Sequence, residues 1–353
     1  MIFSSLLIAS VLASTEAFSS LSSSLHRNNG VAPATQLHSY LDSLGGGTTA
    51  PTSFGQMVTA TDDGGITDIC AFDAASSAIK SQIASGGAIS ASEIHDRIAQ
   101  ANEVVAIIRH HFPGALGSSE ILRRVRSVLD GYGVENILLT QSVCPDEINH
   151  EHGDITDLFI ENIGGGKVFH LGGLAGVPFT GKTGFGAYSA HVAEGGHAFV
   201  LQAPHIGMSD ELQLGKYSRE GQSSAGSACG AAVGAMCHCA AGNPMPDLAG
   251  ATDDYQMNFL IHEIGKRMGA LQGIADENAK QAELARQTSD IGRGMLNQIL
   301  STNFGDESSM LFVFTGIQIN MPFDFEDYFQ PLSFEVWKKD GSVVNLFNEA
   351  FGA

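Results

Sequence analysis

The stretch NILLTQSV, Asn136 to Val143, runs directly into Cys144. It is short, mostly apolar and without helical period, the pattern of a strand buried on both faces of a parallel sheet. Such a strand delivers Cys144 at its C-terminal end, where open α/β sheets place their working residues. HAFVLQA, His197 to Ala203, is a second run of this kind and delivers Pro204 and His205. Upstream, a helix is expected from Ser90, with Glu93 completing a capping box and Ile94, Ile98, Val104, Val105 and Ile108 at helical spacing. Another is expected from Ser118 or Ser119, using Ile121, Leu122, Val125, Val128 and Leu129 and stopping at Gly131. Downstream, SSAGSACGAAVGAMCHCAAG turns from a Ser/Gly loop into a small-residue helix and sets Cys229 near the helix start. Residues from Tyr255 to about Leu300 read as helical. MLFVFTGIQINMP and LSFEVWKKDGSVVNLF read as strands, the second with Lys338 to Gly341 as a hairpin turn. Helices alternating with apolar strands define an α/β sheet with flanking helices.

A competing reading comes from GVPFTGKT, Gly176 to Thr183, which matches the phosphate-loop pattern GxxxxGK[ST]. A working phosphate loop needs a buried strand before it and a long helix directly after it. Here Pro178 has no amide to donate, and Gly172 and Gly173 break the preceding segment. The GFGAYSAH that follows is a poor helix start. The segment is therefore expected to be a tight Gly-rich loop, with nucleotide binding as a remote alternative.

The chain has 353 residues, 43% hydrophobic and 16% charged, enough for a sizeable core. Its formal net charge of -20 repels polyphosphate backbones, so nucleic acid is not an expected partner. Residues 1–17 are an apolar run of signal-peptide length, ending at small residues around Thr15 and Ala17. Residues 18–45 begin with Phe18, are rich in Ser and lack any acid before Asp42. This pairing resembles the two-part plastid presequence of diatoms and related algae, with secretion as the alternative. A Gly/Thr-rich stretch over 43–66 reads as an irregular linker, and no later segment is long and apolar enough for a membrane span. Five cysteines, Cys70, Cys144, Cys229, Cys237 and Cys239, form no disulfide framework.

Cys144, His205 and Cys229 each fall where an apolar element meets a loop, 61 and 24 residues apart. Such spacing does not suit a zinc-finger knuckle; it describes a site assembled by the fold. Two thiolates and one imidazole favour zinc, and three protein ligands leave a fourth position for water. By spacing alone, ordinary packed side chains remain the alternative.

SVCPDEIN, QAPHIG, LGKYSREGQSSAGSACGAA and FTGIQIN resemble successive blocks of the limiting-CO2-inducible B/C family of algae, which includes theta-type carbonic anhydrases. The resemblance spans most of residues 70–340. It implies a β-carbonic-anhydrase-like sheet with flanking helices, in one domain over 46–353 after the presequence. It implies Zn2+ on Cys144, His205 and Cys229, a carbonic anhydrase interconverting CO2 and bicarbonate, a CO2-concentrating role in a plastid, and a homodimer. A catalytically silent zinc-containing scaffold of the same family is the alternative. Asp146 resembles the Asp of the β-class Cys-x-Asp motif, which pairs with an Arg. Position 148 is Ile where the β-class has that Arg, so Arg219 is the expected partner.

His191 and His197 are candidates for proton transfer, with structural roles as the alternative. His150 and His152 read as a solvated loop, and Cys237 and Cys239 as packed helix residues pointing apart. Gly184, Phe185, Gly186 and Tyr188 are candidates to line the pocket.

Overall fold

The computed structural model of the chain describes residue 82 and residues 91–151, 153–250 and 253–352. The presequence and linker expectations, Cys70, the Ser90 cap and His152 lie outside the described residues. Within them the expected helices and strands form. α1 is Ala91–His111, β1 Leu116–Gly117, α2 Ser118–Gly131 and β2 Ile137–Val143. Next come α3 (Ile155–Asn162), β3 (Phe169–His170), α4 (Gly181–Ser189), β4 (His197–Ala203) and β5 (His205–Gly207). A two-stranded ribbon, β6 (Lys216–Tyr217) with β7 (Gly226–Ser227), precedes α5 (Gly230–Ala240). The helical stretch after Tyr255 is three helices, α6 (Tyr255–Gly265), α7 (Met268–Gln272) and α8 (Glu277–Ile299). The chain closes with β8 (Leu311–Asn320), β9 (Tyr328–Trp337), β10 (Val343–Asn345) and α9 (Phe347–Phe351).

One mixed sheet carries the fold, in the order β1-β9-β8-β4-β2-β3, with β5 pairing β8 and β10 pairing β9. β3, β2, β4 and β8 run parallel; β9 turns the edge antiparallel. The turn predicted at Lys338–Gly341 forms, with the Gly341 amide donating to the Lys338 carbonyl at 3.1 Å. Both faces of the parallel strands are covered, so β4 and β8 are buried at every position. On one face Phe199, Leu201, Phe312 and Phe314 pack against Ile121 and Val125 of α2 and Phe159 of α3. On the other, Ala198, Val200 and Val313 pack against Phe185 and Tyr188 of α4 and Leu296 of α8. This double covering is why the strands read as continuous apolar runs.

The phosphate-loop look-alike differs from its expected form in one respect. A helix does follow it, since α4 begins at Gly181. Two glycines in its first half oppose it; the burial of Phe185 and Tyr188 holds it in place. The Tyr188 hydroxyl donates to the Leu138 carbonyl at 2.7 Å and accepts from the Phe199 amide at 3.0 Å, pinning α4 to β2 and β4. Only the two-residue β3 and a tight turn at Leu174–Gly176 come before the loop. The amides of Gly176, Val177, Phe179, Thr180 and Gly181 all donate to carbonyls of the chain itself, and Pro178 has none. Those five amides are already engaged and cannot cradle a phosphate.

Those glycines serve the strand ends instead. A Cβ on Gly172 would collide with the Val143 carbonyl, and one on Gly176 with the Ala203 carbonyl. Gly176 also has φ +70°, a conformation L side chains rarely adopt. The Gly-rich loop lies directly against the ends of β2 and β4, next to Cys144 and Pro204.

Candidate metal centre

Three elements bring the predicted trio together. Cys144 follows the last residue of β2, His205 opens β5 just beyond β4, and Cys229 caps the N-terminus of α5. All three are buried, and one ligand atom from each lies within 4.8 Å of the other two. The sulfurs of Cys144 and Cys229 are 3.7 Å apart. His205 Nε2 is buried without a hydrogen-bond partner. An imidazole nitrogen left so would cost free energy in an apolar surround unless something else coordinates it. Two sulfurs and one nitrogen converging this closely fit a tetrahedral divalent ion such as zinc.

Electrostatics point the same way. The Cys144 thiol is held down to about 4, first by the hydrogen bond from Cys229 and then, against burial, by His205. Cys229 is pushed well above its ordinary value because its proton is engaged by Cys144 and because it is buried. The surroundings thus favour the thiolate form of Cys144, the form that ligates metal.

The structure brings Arg219 and Asp146 together. Arg219 extends from the loop between β6 and β7, and its Nη2 donates to Asp146 Oδ1 at 2.9 Å. Its Nε donates to Glu147 Oε1 at 2.6 Å, and the guanidinium lies 5.8 Å from the centre of the Tyr217 ring. The second Asp146 oxygen, Oδ2, is 3.6 Å from His205 Nε2. Burial, and next the contact with Glu147, hold the Asp146 carboxyl above its usual range, while His205 and Arg219 oppose that rise. The Arg219 bond holds exposed Glu147 down to about 2.

Several predicted residues are elsewhere. His197 is buried at the start of β4, accepting from the Met310 amide at 3.3 Å, at the end of the strand away from His205. His191 is exposed, with its ring against Phe169. Phe185 and Tyr188 belong to the core beneath α4, so the expectation that these two line the pocket is not met. The cavity beside His205 and Cys229 is instead bounded by the apolar Ile206, Ala228, Ala232, Val233 and Leu284 together with Gln281 and Thr288. Cys237 is exposed, and Cys239 is directed at the Ile261 carbonyl, so neither joins a ligand cluster. His150 is exposed as expected, yet it lies close enough to feel Cys144 and His205; partial desolvation by its neighbours and then the His170 charge lower its pKa.

Sequence reasoning missed Asn320, whose Oδ1 is 2.9 Å from His205 Nδ1, and the buried acids Asp327 and Asp154 behind it. FTGIQIN carried the signal, because a polar Asn closing an otherwise apolar strand needs partners.

A mixed α/β sheet presenting Cys144 and His205 at its strand ends, with Cys229 at a helix start and an Asp–Arg pair alongside, defines a β-carbonic-anhydrase-like protein. Residues 115–338 match the family of limiting CO2-inducible proteins B/C beta carbonic anhydrases, and the chain belongs to it. Among solved structures it is similar to PtLCIB4, a homolog of the limiting CO2-inducible protein LCIB. Identity is 29% and the TM-score 0.61, covering 68% of this chain and 98% of that one. A point variant of PtLCIB4 matches at 28% identity and the same TM-score, covering 68% and 97%. LCIB itself shares 20% identity at TM-score 0.48, covering 67% and 95%. Comparison with curated proteins gave no match.

Proposed function

We propose that this chain is a zinc-dependent carbonic anhydrase interconverting CO2 and bicarbonate. The observation carrying the reading is the convergence of Cys144, His205 and Cys229 around the unpartnered His205 Nε2. These three residues would hold the ion. When bound, zinc supplies the Lewis acidity that makes water a nucleophile near neutral pH.

The other residues act on what enters the site. Arg219 fixes one oxygen of Asp146, which leaves the second facing the ligand cluster as a hydrogen-bond acceptor. An acceptor held there orients an incoming O–H and keeps its lone pair toward carbon. The cavity beside His205 and Cys229 is mostly apolar (Ile206, Ala228, Ala232, Val233, Leu284), which suits uncharged CO2, with Gln281 and Thr288 as its polar members. A proton must leave in the hydration direction, and His150, near Cys144 but exposed, suits its transfer to solvent.

One distance favours a second reading. Asp146 Oδ2, 3.6 Å from His205 Nε2, is near enough that a carboxylate freed from Arg219 would become a fourth ligand and close the site. A member in that state would be a zinc-containing scaffold. Stopped-flow CO2 hydration on the zinc-loaded chain separates the two. The enzyme reading expects a rate above buffer that disappears on chelation and in Cys144→Ser; a loaded chain with no such rate is the scaffold. The composition of the first 45 residues supports delivery to a plastid, and the family resemblance supports service in CO2 concentration and a homodimer.

A further inference from the structure

His205 can bind a metal through Nε2 only if the ring's proton is on Nδ1, and the surroundings decide where that proton sits. His205 Nδ1 faces Asn320 Oδ1 at 2.9 Å. The amide could in principle be turned to present either its oxygen or its nitrogen. Its far side removes that freedom. Asn320 Nδ2 donates to the Ile148 carbonyl at 2.8 Å and to Asp327 Oδ2 at 2.8 Å. A backbone carbonyl only accepts, so the amide nitrogen must point at Ile148, the oxygen must point at His205, and Nδ1 must be the donor. Asp327 is anchored in turn: the Met321 amide donates to its Oδ1 at 2.7 Å and Gln318 Nε2 to its Oδ2 at 3.2 Å. Asn320 is 1% exposed, so water offers no substitute for any of these partners.

We infer that Asn320, held by Ile148 and Asp327, is a positioning residue that locks His205 in the tautomer with Nε2 free for the metal. This rests on the proposed metal site but not on CO2 turnover. The ligand's geometry is thus set from the end of β8, a strand that contributes no ligand itself. Partners of this kind typically change metal affinity or activity by about 10- to 100-fold.

The test measures zinc affinity by competition with a chromogenic chelator. Asn320→Leu conserves volume and removes the acceptor, and zinc should bind about 10- to 100-fold more weakly. Asn320→Asp keeps an acceptor for Nδ1 but turns a second oxygen toward Ile148 and Asp327. It should melt earlier than the wild type yet keep zinc affinity within about threefold, since carboxylate–histidine–zinc arrangements work well. A purely structural role would make affinity follow the melting temperature in both variants, and that result overturns the inference; so does unchanged affinity in Asn320→Leu. If Asn320→Leu fails to fold, nitrogen-15 histidine spectra of the zinc-loaded wild type decide. A slowly exchanging proton on His205 Nδ1 is expected, and a ring bound through Nδ1 refutes the assignment. A chain that binds zinc without hydrating CO2 sinks only the enzyme reading; a folded Asn320→Leu chain with wild-type affinity sinks only this one.

Discussion

On the proposed reading, Asp146 and Arg219 separate binding the metal from using it. Neither supplies one of the three converging ligand atoms, yet their bond decides which carboxylate oxygen faces the cluster. Asp146→Ala and Arg219→Ala should therefore retain zinc while kcat/KM for CO2 hydration falls, by about tenfold to a hundredfold. Zinc content by metal analysis beside stopped-flow rates checks this. An Arg219→Ala chain hydrating CO2 at the wild-type rate would remove the pair from the mechanism. The pair was legible in the sequence only through resemblance. Asp146 stands in a short motif with Cys144, but Arg219 is a distant loop residue, and only the fold sets it opposite. Asn320 was less legible still. Nothing local distinguishes an Asn that ends a strand in solvent from one that ends it against a ligand's ring; that depends on the β5–β8 register, which pairs Gly207 with Asn320.

Elements were the more readable level. Apolar runs and caps carry their own periodicity, so α2, β2, β4, β8 and the β9–β10 hairpin stand where expected. α4 is the exception: local propensity argues against a helix containing three glycines, and only tertiary burial of Phe185 and Tyr188 overrides it. The preceding loop shows why a motif match misleads. The pattern asks for glycines that admit a phosphate, whereas Gly172 and Gly176 admit the carbonyls of Val143 and Ala203. Gly176→Ala therefore combines a positive φ with a clash against the end of β4, the residue pair before His205. Unfolding by urea should show a loss of more than about 1 kcal/mol. Zinc affinity should fall as well, because the displaced strand end carries a ligand. A variant as stable as the wild type would mean the loop is not packed against the strand ends in solution.

At the scale of the whole molecule, the fold buries acid in a chain that already carries net charge -20. Asp154 precedes α3 and accepts from the Glu151 amide at 2.9 Å, and its carboxyl also bonds to Asp327. Burial is the main reason its pKa rises from 3.8 to about 7. Asp327, buried, is pushed well up by burial and then by the charge of Asp154. The folded state therefore binds the Asp154 proton more tightly than the unfolded state does. Its contribution to stability is complete below about pH 4 and is lost as pH rises through about 7. General repulsion among the acidic side chains also weakens the fold as pH rises, so the wild-type curve by itself cannot assign the effect. Asp154→Asn can: it keeps an oxygen for the Glu151 amide and never ionises. Measured by urea unfolding from pH 4 to 8, the stability difference between variant and wild type should move steadily in favour of the variant, with most of the change between about pH 5 and 7. Parallel curves across that range would show that Asp154 titrates as an ordinary carboxylate, and that the buried acids behind Asn320 do not hold the proton assigned to them.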